Sequence, residues 1–128
     1  MPQMKLHIQP EKEDDKQEVD SLTRNLRDDL LNLDVEDVHL LYEKPPPDSR
    51  ALDGVAIGSM IVDIISGGAI KEVTQTVQRW IQRNENRSIT IEMDDEKIDV
   101  TDISDKDQGK IIDSWVRLRM QKMNVNNE

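Results

Sequence analysis

The spacing of apolar residues changes repeatedly along this chain, and that change constrains the possible folds more than any other feature of the sequence. Met4, Leu6 and Ile8 recur at every second residue, which is typical of a strand with one buried face. Through residues 19–33 the apolar side chains recur three and four apart, which is typical of an amphipathic helix. Period two returns at residues 38–42. The pattern therefore favours a fold that combines strands with helices.

The middle of the chain carries the longest apolar stretch, residues 55–70. The apolar residues between 52 and 64 fall at helical spacing, and a second stripe of this kind covers residues 70–81. One straight helix over residues 52–83 would be about 48 Å long, which is too long for a small domain. We therefore predict two helices, or one sharply kinked helix, with Gly67-Gly68 at the bend or at a close helix contact.

A proline-rich segment precedes this region, and a predicted hairpin and helix follow it. Residues 43–53 contain three consecutive prolines, which predict a stiff, extended loop. After the helical region, residues 89–93 and 98–100 alternate around Asp94-Asp95-Glu96-Lys97, which predicts a β-hairpin with a short acidic turn. Ser104 or Asp105 is then expected to cap a last helix. The apolar stripe of that helix is predicted to comprise Ile111, Trp115, Leu118 and the stem of Lys122.

The resulting order is β-α-β-α(α)-β-β-α. It predicts an α+β two-layer sandwich in which a small mixed sheet of about four strands is packed by three to four helices. Residues 1–122 are expected to form a single domain, and the Asn-rich residues 123–128 a disordered tail. Since Phe is absent and only Tyr42, Trp80 and Trp115 are aromatic, the core is expected to be aliphatic.

Composition excludes several classes of function. The 128 residues include 27 acidic and 17 basic side chains, for a net charge of −10. That charge argues against a nucleic-acid partner, because phosphate backbones are bound by clustered Lys and Arg. The absence of cysteine excludes disulfides, thiolate nucleophiles and zinc–thiolate sites. The acidity is concentrated in residues 11–20 and 92–107, and the rest of the chain is close to neutral.

No transmembrane segment or signal peptide is predicted. The apolar stretch 55–70 is interrupted by Asp63 and three glycines, so it is interpreted as a buried helical region rather than a membrane helix. We expect a cytoplasmic protein.

No pattern of catalytic, cofactor-binding or metal-binding residues stands out. His7 and His39 lie on the polar faces of the predicted strands and are expected to be ordinary exposed residues. The glycines match no phosphate-binding loop. An acidic site built from Asp94, Asp95 and Asp99 in the hairpin, supporting a metal-dependent enzyme, is the weaker alternative. We therefore predict a protein that is not an enzyme.

The candidate partner-binding residues combine tryptophan with arginine, which are enriched at interface hot spots. Trp80 is expected to belong to the core with arginines at its rim, and Trp115 repeats that situation. Asp63 could pair with an arginine of a partner or lie on the wet side of its helix. The full set is Asp63, Arg79, Trp80, Arg83, Arg87, Trp115, Arg117 and Arg119.

A series of motifs resembles one known family over residues 22–119. The motifs are Leu22-Thr23-Arg24-Asn25-Leu26-Arg27-Asp28-Asp29-Leu30, Gly67-Gly68, Arg79-Trp80-Ile81-Gln82-Arg83, Ile89-Thr90-Ile91 and Lys97-Ile98-Asp99-Val100. With these motifs the chain resembles the effector-associated constant component family, whose members are small bacterial proteins or domains from antiviral and anti-invader gene clusters.

The resemblance implies a non-enzymatic adaptor with no cofactor. Such an adaptor couples a sensor or interaction module to an effector, often a trypsin-like or caspase-like peptidase. An alternative that the residues leave open is a self-assembling structural module, in which the apolar region 55–70 packs against a second copy.

Overall fold

A computed structural model describes residues 2–9, 15–43, 55–84, 87–101 and 106–126. The predicted proline loop lies almost entirely outside these ranges, and the predicted caps Ser104 and Asp105 lie outside them as well. The elements in chain order are β1 (Gln3–Ile8), α1 (Lys16–Leu31), β2 (Asp37–Glu43), β3 (Val55–Asp63), α2 (Gly67–Arg83), β4 (Ile89–Met93), β5 (Glu96–Val100) and α3 (Lys106–Asn126).

The predicted α+β class is confirmed. Within the described residues, three helices accompany one five-stranded sheet with the order β2-β3-β1-β4-β5. All four pairings in that sheet are antiparallel, whereas we predicted a mixed sheet of about four strands. The difference arises from β3, because the first half of the predicted helical region is a strand that pairs with both β1 and β2.

The predicted helix over residues 52–64 is wrong for residues 55–63, which form β3, and two features of this strand explain the error. Its buried residues Met60 and Val62 alternate as in any strand and Ile64 follows at the same spacing, but Ile61 on the opposite face is also apolar and hides the alternation. Gly58 adopts a φ of +88° where the β2–β3 register shifts, and this irregularity breaks the period of two. A spacing of four, as from Met60 to Ile64, fits a strand and a helix equally well.

The glycine pair Gly67-Gly68 begins α2 and does not bend a longer helix. Ser66 precedes it in extended conformation as the N-cap residue. Gly67 also lies against α3, since a Cβ added there would be 3.6 Å from the Cα of Met120. The predicted close helix contact is therefore present, and a Cβ at Gly67 would make an ordinary van der Waals contact with Met120.

The helices cover one face of the sheet, and the core lies between the two layers. Every second residue of each strand points into this core, from Met4, Leu6 and Ile8 on β1 to Ile98 and Val100 on β5. From the helical layer, α1 contributes Leu26 and Leu30, and α2 contributes eight buried residues including Trp80. Because successive side chains of a strand point to opposite faces, the buried strand residues all lie on one face of the sheet, which we call the covered face.

The hairpin β4–β5 is confirmed and has a two-residue turn. Asp94 and Asp95 have φ angles of 55° and 64°, as a type I′ turn requires. The turn pairs Met93 with Glu96 and thereby sets the register of the whole hairpin.

The predicted apolar stripe of α3 is displaced around the helix. Ile111 and Leu118 are 62% and 52% exposed, and the buried residues are Ile112, Trp115, Val116, Arg119 and Met123. The displacement places a charged side chain, Arg119, in a buried position between apolar ones. The helix also continues to Asn126, although a disordered tail was expected from Met123. The assignment of one domain to residues 1–122 stays a prediction.

Candidate functional site: the open face of the sheet

The face of the sheet opposite the helices is polar, and we call it the open face. Its side chains alternate with those of the covered face, and most of them are exposed or partly exposed. Ser59 is the buried exception. The residues of the open face are Gln3, Lys5, His7, Asp37, His39, Ser59, Ile61, Asp63, Thr90, Glu92, Lys97 and Asp99.

A network centred on Asp63 occupies the end of the open face near β2. Gln3 donates from Nε2 to Asp63 Oδ1 at 2.8 Å, and His39 Nε2 lies 2.8 Å from Asp63 Oδ2. Asp37 adds a second carboxylate 3.5 Å from the same His39 nitrogen. The antiparallel register explains the cluster, because Asp63 is the pairing partner of both Gln3 and Asp37.

The two ionisable groups of this network shift each other's pKa in opposite directions. The hydrogen bond to Asp63 raises the pKa of His39 above its ordinary value of 6.5, and Asp37 adds to the effect. The hydrogen bonds from Gln3 and His39 lower the pKa of Asp63 below 3.8. Each shift favours the charged form of its group, so the pair is held as imidazolium and carboxylate over a wider pH range than either residue alone.

His7 and Ser59 form a second cluster in the middle of the open face. His7 Nδ1 and Ser59 Oγ share a hydrogen bond of 2.6 Å between directly paired residues of β1 and β3. Burial, followed by the charge of Lys5, lowers the pKa of His7 below 6.5, so the imidazole is neutral at pH 7.

A neutral histidine beside a serine hydroxyl is the first requirement of a nucleophilic serine. A hydrolase also needs amide donors directed at the oxyanion that forms during the reaction. Ser59 lies inside β3 directly opposite His7 of β1, so their hydrogen bond joins two neighbouring strands of the sheet. The arrangement therefore fits a hydrogen bond that fixes the sheet better than it fits a catalytic dyad.

The third part of the open face lies over β4 and β5. Gln9 donates to Thr90, and Thr90 in turn donates from Oγ1 to Asp99 Oδ1 at 2.8 Å. A shallow depression of about 450 Å³ extends from here to the His7–Ser59 pair. It is lined by Lys5, His7, Gln9, Ser59, Thr90, Glu92, Lys97 and Asp99.

Carboxylates outnumber ammonium groups on the open face. Asp37, Asp63, Glu92 and Asp99 lie on it, and the turn residues Asp94 and Asp95 line a second depression at its border. The lysines on the same face are Lys5 and Lys97. A face of this kind attracts a cationic group or segment by its summed field.

The sequence-predicted residue Asp63 thus lies on the open face, on a strand rather than on the wet side of a helix. Trp80, in contrast, is 0% exposed and forms part of the core, as the more favoured expectation had it. Arg79 and Arg83 are exposed beside it on α2, and Arg83 forms an ion pair with Asp29 of α1. These arginines lie on the helical layer, away from the open face.

The remaining candidates are also separated. Arg87 has a side chain that is mostly buried, and it forms an ion pair with Glu18 at 3.4 Å. Trp115 is buried on α3, and the guanidinium of Arg119 lies 5.2 Å from its ring centroid. Arg119 is also buried and forms an ion pair with Glu96, whereas Arg117 is exposed. The structure therefore does not bring the eight candidates together into one surface.

The partners of the two histidines could not be predicted from the pattern of the sequence. His7 and His39 were expected to be ordinary exposed strand residues, but they contact Ser59 and Asp63 across the sheet. The signal that could have found them is cross-strand register, which requires the strand assignment of residues 55–63. Without β3, neither Ser59 nor Asp63 has a strand position.

Neither a metal site nor a membrane-spanning helix is found in the part of the chain that the structure describes. There, no group of three or more His, Asp or Glu side chains converges well enough to hold a metal ion, and this includes Asp94, Asp95 and Asp99 of the hairpin. Nor does any described helix have the length and apolarity needed to cross a membrane.

Comparison with known families identifies the chain. The model of the family Effector Associated Constant Component 1 matches residues 11–123, and the chain belongs to this family. No curated protein and no solved structure matches it significantly. The family description indicates a component that accompanies effectors in conflict systems, and it suggests a non-catalytic module.

Proposed function

We propose that this protein is a non-enzymatic adaptor that binds an effector protein through the open face of its sheet. The observation that carries the proposal is the contrast between the two faces of one sheet. The covered face is buried under three helices, while the open face keeps charged side chains in contact with solvent. A non-catalytic component that accompanies effectors needs a surface for them, and this face is large, rigid and distinctively charged.

The charge of the open face defines the partner that fits it. Its carboxylates lie on four of the five strands, so their positions relative to one another are fixed by the sheet. An effector segment bearing arginine or lysine can pair with them, and charge complementarity of this kind favours specificity and fast association. We propose that the effector is a peptidase of the trypsin-like or caspase-like class, as the family resemblance implies, and that the encounter takes place in the cytoplasm.

Co-purification tests the proposal directly. The tagged protein is expressed together with the products of its neighbouring genes, and the captured proteins are identified by mass spectrometry. We expect an effector to co-purify. Reversing two charges of the open face, Asp37→Lys with Glu92→Lys, should abolish the capture, since both side chains lie on this face and neither is deeply buried.

A matched control uses the helical layer. Glu72→Lys with Asp113→Lys makes the same charge change at exposed positions of α2 and α3 and should leave the capture intact. If the control pair abolished the capture and the open-face pair did not, the docking surface would be the helical layer, with Arg79, Arg83 and Arg117 as its candidates. If no neighbouring product co-purified, the adaptor proposal itself would fail.

A further inference from the structure

The last strand of the sheet and the outer flank of α3 form a second surface with different chemistry. β5 lies at the end of the strand order and pairs with β4 on one side. In an antiparallel ladder, alternate residues direct their backbone N–H and C=O groups away from the existing neighbour. A strand at this position is therefore a template for a further strand.

Helix α3 places apolar side chains beside this edge. At 100° per residue, Ile111 and Leu118 fall within about 20° of each other on the helix surface. They lie on the flank away from α2, since the opposite flank carries Met120, which contacts Gly67. Lys122 belongs to the same outer flank, and its Nζ lies 3.9 Å from Glu96 of β5. The exposed Ile111 and Leu118 are therefore on the side of α3 that borders the sheet edge.

The sequence of β5 is complementary to itself. Lys97 and Asp99 lie on the open face, two residues apart, and Ile98 between them faces the helical layer. If two β5 strands paired antiparallel about Ile98, each Lys97 would lie opposite the Asp99 of the other strand. Oppositely charged residues directly opposite each other stabilise a strand pair, and like charges destabilise it. A two-fold symmetric interface requires this kind of self-complementarity.

We propose that β5 and the outer flank of α3 bind a second copy of this chain. The two β5 strands pair about Ile98 and form two Lys97–Asp99 contacts on the open face. On the other side of the sheet, Ile111 and Leu118 of each copy pack against their counterparts, which removes these exposed apolar side chains from water. The two sheets become continuous, so the dimer presents two open faces on the same side.

This assignment replaces the self-association surface expected from the sequence. The region 55–70 was the predicted contact, but β3 lies inside the sheet and Met60, Val62, Ile64 and Ile70 are core residues. The proposed dimer does not depend on the adaptor function, because it uses the sheet edge and not the open face for its main contacts.

Analytical ultracentrifugation of the full chain tests the dimer. We expect the wild-type protein to sediment as a dimer at roughly 100 mM salt and roughly 100 µM protein, a range suited to weak self-association. Leu118→Glu should yield a monomer with an unchanged circular dichroism spectrum, because Leu118 is exposed in the single chain. Ile65→Glu is the matched control, since Ile65 is equally exposed but follows β3, and it should leave the dimer intact.

A charge swap tests the register. Lys97→Asp places aspartate opposite Asp99, and Asp99→Lys places lysine opposite Lys97, so each single variant should weaken dimerisation about tenfold or more. The double variant Lys97→Asp with Asp99→Lys restores opposite charges and should restore the dimer. A wild-type monomer at roughly 500 µM would overturn the proposal, as would a dimer that withstands Leu118→Glu and both single charge variants. If β5 paired with a strand of another protein instead, the wild-type chain alone would sediment as a monomer, and the dimer proposal would fail.

Discussion

The two faces of the sheet are formed by the same strands, but one is buried in the core and the other is in contact with solvent. Along β1, Leu6 is fully buried, and its neighbour His7 lies half-exposed beside Ser59. The covered face tolerates no register error, since a slip of one residue would carry every apolar side chain to the solvent side. The open face carries polar side chains in contact with solvent, and we propose that it serves recognition. On this proposal, one face of the strands provides most of the stability and the other face binds the partner.

The largest expected effect comes from adjacent substitutions on β1. Leu6→Ala should lower the free energy of unfolding by about 2–5 kcal/mol, because it opens a cavity in a packed core. His7→Ala should lower it by only about 1 kcal/mol, the value of one hydrogen bond. Urea denaturation of both variants measures the difference. Equal losses at the two positions would contradict the separation of the faces.

A second effect is expected at Arg119 of α3, whose charged side chain is buried. Arg119 is 1% exposed, and its Nε and Nη1 groups have no hydrogen-bond partner among the described residues. Arg119→Met should be neutral or raise the free energy of unfolding by about 1–3 kcal/mol, because it removes a buried guanidinium with two unpartnered nitrogens and leaves Glu96, which is 53% exposed, in contact with water. Arg119→Ala is the control for lost volume and should destabilise. Thermal unfolding monitored by circular dichroism distinguishes the two, and a strongly destabilised Arg119→Met would show that Glu96 depends on this arginine.

A smaller effect is expected at the turn that joins β4 to β5. Asp94 and Asp95 both occupy the left-handed region, which Asp tolerates but Gly adopts with no steric cost. The double substitution Asp94→Asn with Asp95→Gly should raise the free energy of unfolding by roughly 1 kcal/mol, since an Asn-Gly pair suits a type I′ turn. Gly58→Ala is the opposing case, because a Cβ there would lie 3.1 Å from the carbonyl oxygen of Ile8 and should destabilise. Chemical denaturation of both variants checks the prediction.

The smallest effect is a pH dependence confined to the open face. The raised pKa of His39 gives stabilisation that is complete below pH 6.5 and lost as the pH rises through its folded value. The lowered pKa of Asp63 gives stabilisation that is present above pH 3.8 and lost as the pH falls through its folded value. The pair therefore contributes most between pH 3.8 and 6.5. His7 acts in the opposite direction, because its lowered pKa reduces stability as the pH falls below 6.5.

NMR titration of the two imidazoles measures this behaviour. Asp63→Asn should move the pKa of His39 down toward 6.5 and leave that of His7 unchanged, since His7 contacts Ser59 instead. The stability difference between this variant and the wild type should be greatest between pH 3.8 and 6.5 and should shrink as the pH rises through the folded pKa of His39. A His39 pKa unaffected by Asp63→Asn would contradict the network.

Sequence alone predicted those elements whose two faces differ most. β1 and the β4–β5 hairpin alternate apolar with polar residues, so their period is plain. β3 has Ile61 on the open face and a glycine irregularity at Gly58, and both remove the signal on which the assignment depends. The error spread to the site, because Ser59 and Asp63 acquire their partners only through the pairing of β3.

Helix α3 shows a second limit of sequence patterns. Ile111, Trp115 and Leu118 form a regular apolar stripe, yet the helix buries the adjacent stripe that contains Ile112 and Arg119. Both stripes have helical spacing, and only packing against β5 and α2 selects between them. Trp80 was predictable as a core residue because the buried stripe of α2 has no apolar competitor on its other side.

The central position of β1 has a consequence for the order in which the chain folds. β1 comes first in the sequence but is flanked by β3 and β4, and its pairing of Ile8 with Ile89 joins residues 81 positions apart. The hairpin β4–β5 can form locally within microseconds. The pairing of β1 with β4 in the middle of the sheet, however, joins residues that are separated by about two-thirds of the chain. High contact order of this kind slows folding, so we expect a ribosome-bound nascent chain to hold its first strand unpaired until β3 emerges.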